Sequence, residues 1–233
     1  MLASCCRLAL LGTLCSAAVA VEPAALIDFL SDDGERLLVE AEAREAYFPL
    51  ASHFVTQENR GFCGVASMTM LLNALEVSAP EVPELSPYRT FTQVNVLDDR
   101  TEAVLPRETI RRQGMSLDRL GAMIETKPLA VKVRHASEST VGEFRATAKD
   151  YLSRPDHFVL VNYLRAAIGQ ESGGHHSPLA AYHGGSDRFL ILDTARYKYP
   201  PVWVRADDLF AAMNTRDAAS PAKTRGYVLV SRK

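Results

Sequence analysis

Apolar positions in the first half of the chain recur every three or four residues, the spacing of amphipathic helices. The clearest stretch covers residues 64–75. A polar start at residues 32–35 predicts an earlier helix, whose apolar positions continue at helical spacing to Tyr47. Two further helices are predicted at residues 105–113 and 117–125. The chain up to about residue 127 is therefore predicted to be mostly helical.

The second half of the chain changes to short segments rich in β-branched and aromatic residues, which predict strands. A hairpin turn is indicated by Gly-Gly-Ser-Asp at residues 184–187, and one late helix by residues 207–213. Helices followed by antiparallel strands predict an α+β fold, with a helical lobe, a sheet lobe and a cleft between them. The predicted strands are residues 129–135, 158–163, 178–182, 188–193 and 227–231.

The first twenty residues have the pattern of a secretory signal peptide. Arg7 is the only charged residue there, an apolar run covers residues 8–20, and Ala18-Val19-Ala20 has the form of a cleavage site. The run is shorter than the roughly 20 residues that span a membrane, so an uncleaved anchor is the weaker alternative. We expect residues 1–20 to be a signal peptide and residues 21–233 a single catalytic domain, periplasmic or secreted and without a membrane partner.

Length and charge exclude some classes of protein. A chain of 233 residues with 47% hydrophobic residues suits one globular domain. Its net charge of −2 lacks the basic excess that nucleic-acid binding requires, so no nucleic-acid partner is expected.

Cysteine usage singles out one thiol. Of the four cysteines, three fall within the predicted signal peptide, so Cys63 would be alone in the mature protein. In an oxidising compartment a lone thiol is either buried and inert or reactive. Cys63 stands immediately before the predicted helix, where the positive end of the helix dipole favours a thiolate. This placement makes Cys63 a candidate nucleophile.

Partners for such a nucleophile can be found in the sequence. Gln57 lies six residues upstream and could donate a hydrogen bond to an oxyanion. His175 enters one predicted strand and Asp193 ends the next, and antiparallel pairing can bring two such positions together. His183, beside the turn, does not meet that condition. The remaining histidines are His53, His135, His157 and His176.

Metal binding is the alternative use of these histidines. The sequence has no CxxC or HExxH motif and no closely spaced ligand pair typical of zinc. No intrinsic metal site is therefore expected. A periplasmic carrier of metal thiolates stays open as a non-enzymatic alternative, although one thiol can hold little soft metal.

Several segments resemble the phytochelatin synthase family over nearly the whole mature chain. One such segment, which resembles the family's nucleophile segment, is Gln57-Glu58-Asn59-Arg60-Gly61-Phe62-Cys63-Gly64. A later matching segment is Gly174-His175-His176-Ser177-Pro178-Leu179. The most specific is the tyrosine–proline–tryptophan segment at residues 192–204.

The resemblance implies a papain-like fold with Cys63 as nucleophile, His175 as base, Asp193 as orienting acid and Gln57 as oxyanion donor. The implied substrate is glutathione, cleaved at its Cys–Gly bond through a γ-Glu-Cys thioester. Water or a second glutathione would then accept the acyl group. A leader-peptide-processing peptidase of the same fold is the alternative among enzymes.

The family resemblance also has implications for substrate binding, cofactors and oligomeric state. Arg165, Arg225 and Gly174 are expected to bind substrate, since an arginine fork suits a carboxylate. No cofactor is expected, although cadmium or zinc could act through a metal–glutathione substrate, and a homodimer fits the family. Because the sequence ends at Lys233, we expect the short bacterial type, without the Cys-rich C-terminal region of plant members, and for this type hydrolysis should dominate. His176 replaces a residue that is commonly apolar.

Overall fold

A seven-stranded antiparallel sheet carries the fold in the computed structural model, which describes residues 26–171 and 173–233. The predicted signal peptide lies outside these described residues. The sheet has the strand order β1-β6-β5-β4-β3-β9-β2, and β7 and β8 form a separate ribbon. The strands are β1 Ile27–Asp28, β2 Leu129–His135, β3 His157–Leu164, β4 Gly174–His183, β5 Arg188–Ile191, β6 Val202–Arg205, β7 Arg216–Asp217, β8 Ser220–Thr224 and β9 Gly226–Arg232.

Helices supply the rest of the regular structure. The longest in the first half, α3, has every residue from Cys63 to Leu72 buried. It packs against β4 and is enclosed on all sides, rather than exposing the polar face that the predicted apolar spacing implied. The α-helices are α1 Asp32–Glu40, α2 Tyr47–Ser52, α3 Cys63–Ala74, α4 Asp99–Val104, α5 Arg107–Gln113, α6 Leu117–Glu125, α7 Val141–Leu152 and α8 Ala206–Met213.

These elements confirm the α+β prediction, with helices first and an antiparallel sheet after them. Two strand boundaries differ from the predicted ones, and both lie next to candidate site residues. The strand predicted at residues 178–182 begins at Gly174, so His175 lies within β4 and not in a loop before it. The strand predicted at residues 188–193 ends at Ile191, and Asp193 stands just beyond it.

The prediction that the first helix continues at helical spacing to Tyr47 is wrong. Helix α1 ends at Glu40 because the backbone of Ala43 pairs with Tyr182 of β4 as an isolated bridge. Helix α7 was not predicted, although Thr140 and Glu143 form a complete capping box at its start. With α8, it packs against β3 and covers the sheet in the second half of the chain.

Aromatic side chains connect α7 to the sheet. The ring of Phe144 lies 5.2 Å from that of Phe189 and 5.1 Å from that of Tyr227, centroid to centroid. At the other end of the sheet, the buried indole of Trp203 donates a 3.0 Å hydrogen bond to the Gly34 carbonyl, which ties α1 to β6. None of the helices in the described ranges is long and apolar enough to cross a bilayer.

Shortening a buried side chain of α3 should destabilise the protein. Leu71 is completely buried in this helix, so Leu71→Ala should lower the free energy of unfolding by about 2–5 kcal/mol in urea titrations. Leu85 is 51% exposed, and Leu85→Ala should change the same quantity by less than about 0.5 kcal/mol. Equal losses in the two variants would contradict the central position of α3.

Candidate active site

Cys63 occupies the first turn of α3, and its thiol is free and buried. The approach to the helix is tight, since a Cβ on Gly61 would lie 2.2 Å from the Ile110 carbonyl oxygen. Only glycine allows the loop to pass so close to α5. Cys63 is the first residue of the helix, where backbone N–H groups without partners inside the helix favour negative charge.

The structure brings His175 and Asp193 together. The hairpin between β4 and β5 sets the first residues of β4 beside the segment that follows β5. Nε2 of His175 lies 2.9 Å from Oδ1 of Asp193, an ion-pair distance. Both side chains are buried.

The His175 ring also contacts the Cys63 thiol. Burial alone would raise the pKa of Cys63, but the hydrogen-bonding contact with His175 and the backbone N–H groups of His176 and Gly64 bring this pKa below its ordinary value. Burial would likewise lower the pKa of His175, whereas Asp193 and Cys63 raise it above the ordinary value. The two directions together favour a thiolate–imidazolium pair at neutral pH.

Asp193 is held by more than the histidine. Both terminal nitrogens of Arg165 donate to the carboxylate, Nη1 to Oδ2 at 2.6 Å and Nη2 to Oδ1 at 2.9 Å. The Ala195 N–H adds a 2.8 Å hydrogen bond. Burial would raise the pKa of Asp193, but His175 and Arg165 hold this pKa far below its ordinary range. The carboxylate is therefore ionised throughout the neutral range.

Arg165 has a different position from the one predicted. It was expected to bind a substrate carboxylate, yet its guanidinium is engaged by Asp193 and by Oε1 of Gln170 at 2.6 Å. The guanidinium also stacks over the Tyr199 ring at 4.7 Å from its centroid. With both ends of the fork used inside the protein, Arg165 is suited to positioning Asp193.

Gln57 is fixed beside the segment that contains Asp193. Its backbone N–H donates to the Thr194 carbonyl at 2.9 Å, and its Oε1 accepts from the Thr194 hydroxyl at 3.4 Å. Nε2 donates one hydrogen to the Asn59 carbonyl at 2.8 Å. An amide nitrogen has two hydrogens, so Nε2 keeps one that the Asn59 carbonyl does not use.

Cys63 opens on a cavity of about 530 Å³. Four arginines line it, three of them from exposed parts of the loop before α3 and of α5. These three were not among the predicted site residues, although the adjacent pair Arg111-Arg112 marks a local concentration of positive charge in the sequence. The arginines are Arg60, Arg111, Arg112 and Arg225.

Arg225 and Gly174, both predicted to bind substrate, meet in the wall of this cavity. A Cβ on Gly174 would lie 2.7 Å from Nη2 of Arg225, so the missing side chain makes room for the guanidinium. Nη1 of Arg225 donates to the Arg216 carbonyl, and Nη2 is 3.9 Å from Oδ1 of Asp217. Nε is buried without a hydrogen-bond partner among the described residues.

The other candidate histidines, apart from His176, lie away from this cavity. His135 contacts Asp118 and the Thr224 carbonyl, and His183 bonds Ser186 in the hairpin turn. Within residues 26–171 and 173–233, no three histidine, cysteine, aspartate or glutamate side chains are grouped to hold a metal ion.

Comparison with known proteins identifies similar chains. The family model described as phytochelatin synthase matches residues 19–227. The chain is 36% and 37% identical to glutathione gamma-glutamylcysteinyltransferases 3 and 1 of Lotus japonicus over 88% of its length. It is 28% identical to the glutathione gamma-glutamylcysteinyltransferase of Schizosaccharomyces pombe over 80% of its length. The matches cover 40–43% of these relatives, so the chain spans about two fifths of their length.

The lowered pKa of Cys63 predicts its alkylation behaviour. The rate of iodoacetamide modification, followed by mass spectrometry of the Cys63 peptide, should stay high below the pH at which ordinary thiols ionise. His175→Ala removes the contact that lowers this pKa and leaves the burial that raises it. The profile should then move to higher pH, with a rate at pH 6.5 lower by roughly tenfold or more.

His183→Ala is the matched control for this experiment, because His183 lies in the hairpin turn outside the cavity. Its alkylation profile should coincide with that of the wild type. Coincident profiles for His175→Ala and the wild type would contradict the thiolate–imidazolium pair.

Proposed function

The chain belongs to the phytochelatin synthase family, and we propose that it cleaves the Cys–Gly bond of glutathione through a γ-Glu-Cys thioester on Cys63. The observation that carries this proposal is the arrangement of Cys63, His175 and Asp193 at the edge of an arginine-lined cavity. The same arrangement of thiol, imidazole and carboxylate is the basis for proposing papain-like chemistry.

In the first step, the Cys63 thiolate attacks the carbonyl carbon of the Cys–Gly peptide bond. The carbonyl oxygen becomes an oxyanion, which the free hydrogen of Gln57 Nε2 and the Cys63 backbone N–H stabilise. The His175 imidazolium gives its proton to the glycine nitrogen as the C–N bond breaks. Glycine leaves, and γ-Glu-Cys stays on the sulfur as a thioester.

In the second step, His175 is neutral and takes a proton from the acceptor. Water as the acceptor attacks the thioester carbonyl and releases γ-Glu-Cys. The α-amino nitrogen of a second glutathione as the acceptor forms a new amide bond and gives a phytochelatin. Either attack expels the Cys63 thiolate and restores the starting ion pair. Arg165 acts through Asp193, which keeps the imidazole oriented in both steps.

The cavity suits glutathione in charge. Glutathione has two carboxylates and one ammonium group. The four arginines of the cavity complement the carboxylates, and Arg225 has an unused buried donor, Nε, among the described residues. Buried donors gain most from a charged acceptor, since their desolvation is otherwise uncompensated. Arg225 therefore keeps its predicted role in substrate binding.

We also propose that water is the main acceptor and that cadmium or zinc enters as the glutathione complex. Both acceptors would attack the same thioester, so the products report which acceptor is used. The thiol of glutathione is a soft ligand of the kind that zinc and cadmium prefer, which supports entry of the metal with the substrate. Quantifying γ-Glu-Cys against phytochelatin, with and without cadmium, measures both.

Purified protein should release glycine from glutathione, and Cys63→Ala should abolish this release because the nucleophile is lost. Brief mixing with glutathione should add the mass of one γ-Glu-Cys acyl group to the Cys63 peptide. A peptide with a double-glycine leader sequence is the comparison substrate. A higher kcat/KM for that peptide than for glutathione would refute the proposal in favour of a processing peptidase.

Gln57→Ala should lower kcat for glycine release by roughly 100- to 1000-fold with little change in KM, because an oxyanion donor acts mainly in the transition state. Glu58→Ala, at the exposed neighbouring position, is the matched control and should keep wild-type kinetics. A change confined to KM would rule out the oxyanion role of Gln57.

A further inference from the structure

His176 follows the proposed base in sequence but faces the other side of the sheet. Neighbouring residues of a strand point to opposite faces. His175 pairs with Tyr163 across β3, and His176 pairs with Asn162. The His176 ring lines the cavity together with Asn162, so the two histidines serve different surfaces.

The His176 ring has one used and one unused nitrogen. Nε2 lies 3.0 Å from the Met115 carbonyl oxygen, which only accepts hydrogen bonds, so Nε2 carries the hydrogen. Burial lowers the pKa of His176 to about 4, which keeps the ring neutral. Nδ1 is then a bare acceptor, and it is buried without a partner among the described residues. Such an acceptor is costly unless a ligand or water fills it.

The carboxylate of Asp217 lines the same part of the cavity as this ring. Asn162 connects the two, because it pairs with His176 across the sheet and donates to the Asp217 carboxylate. The orientation of this carboxylate is fixed, because Asn162 donates to Oδ2 at 3.0 Å and the Ala219 N–H donates to Oδ1 at 3.0 Å. This end of the cavity therefore combines an unused acceptor, the Asp217 carboxylate and, 3.9 Å from that carboxylate, the guanidinium of Arg225.

We propose that Nδ1 of His176 accepts a hydrogen bond from the α-ammonium group of the γ-glutamyl residue, which makes His176 a specificity-determining residue. The ammonium group would also face Asp217, while the α-carboxylate of the same residue accepts from Nε of Arg225. An unused donor and an unused acceptor in one cavity match the two ends of an amino-acid head group. This inference rests on the proposed function and deepens it.

The experiment compares two substrates in several variants. The substrates are glutathione and glutaryl-cysteinyl-glycine, which lacks only the α-amino group. Wild type should prefer glutathione in kcat/KM, and His176→Phe should lower kcat/KM for glutathione by roughly 10- to 100-fold, the effect of one hydrogen bond to a charged group. The preference over the analogue should fall by the same factor. His176→Asn keeps an acceptor near the position of Nδ1 and should restore part of the preference.

His157→Phe is the matched control, because His157 bonds the Pro155 carbonyl outside the cavity. It should keep the wild-type preference. Equal losses on both substrates in His176→Phe, or no loss on glutathione, would overturn the inference. The first result would instead indicate a structural role or an ordered water at Nδ1.

Binding separates this inference from the proposed reaction. Calorimetry with Cys63→Ala protein should detect tighter binding of glutathione than of the analogue, and adding His176→Phe should remove the difference. This result without glycine release by the wild type would support the inference and refute the proposed reaction. Equal binding of the two ligands, or no binding of glutathione, would overturn the inference.

Discussion

The site depends on one ion pair, the two-pronged contact of Arg165 with Asp193. Asp193 is completely buried, and an unpaired carboxylate in such a place would take up a proton to avoid the cost of a buried charge. Arg165 prevents this, and the aromatic rings of Tyr163 and Tyr199 lie against its guanidinium. The carboxylate of Asp193 thus stays ionised beside His175.

Charges of alternating sign extend from this pair towards the cavity. Arg165 is positive, Asp193 negative, His175 positive when protonated and Cys63 negative as thiolate. Each inner member is stabilised by a neighbour on either side, so four buried ionisable groups coexist with no net charge. Removing any one leaves a buried charge uncompensated, which costs more than the intact arrangement gains. Cys63 is therefore the outer end of a row of paired groups that begins at Arg165.

Local patterns in the sequence were sufficient for some parts of the fold and insufficient for others. Helix α6 and strand β2 have the predicted bounds because periodicity and flanking turn residues determine them locally. The break after Glu40 was missed because Ala43 pairs with a strand far along the chain. The juxtaposition of His175 and Asp193 was predictable because one hairpin joins them, whereas the partner of Arg165 and the position of Asp217 depend on tertiary packing.

Strand β4 carries the two adjacent histidines on opposite faces, one towards the ion pairs and the other towards Asn162. The alternation makes the number of residues in this strand as important as their identity. Inserting or deleting one residue directly after His176, with the register of the rest of β4 kept, would turn each histidine to the opposite face of the sheet. Substitutions at these positions change one surface at a time, but a single-residue insertion or deletion would exchange both surfaces at once. The segment is thus expected to tolerate replacement far better than a change in its number of residues.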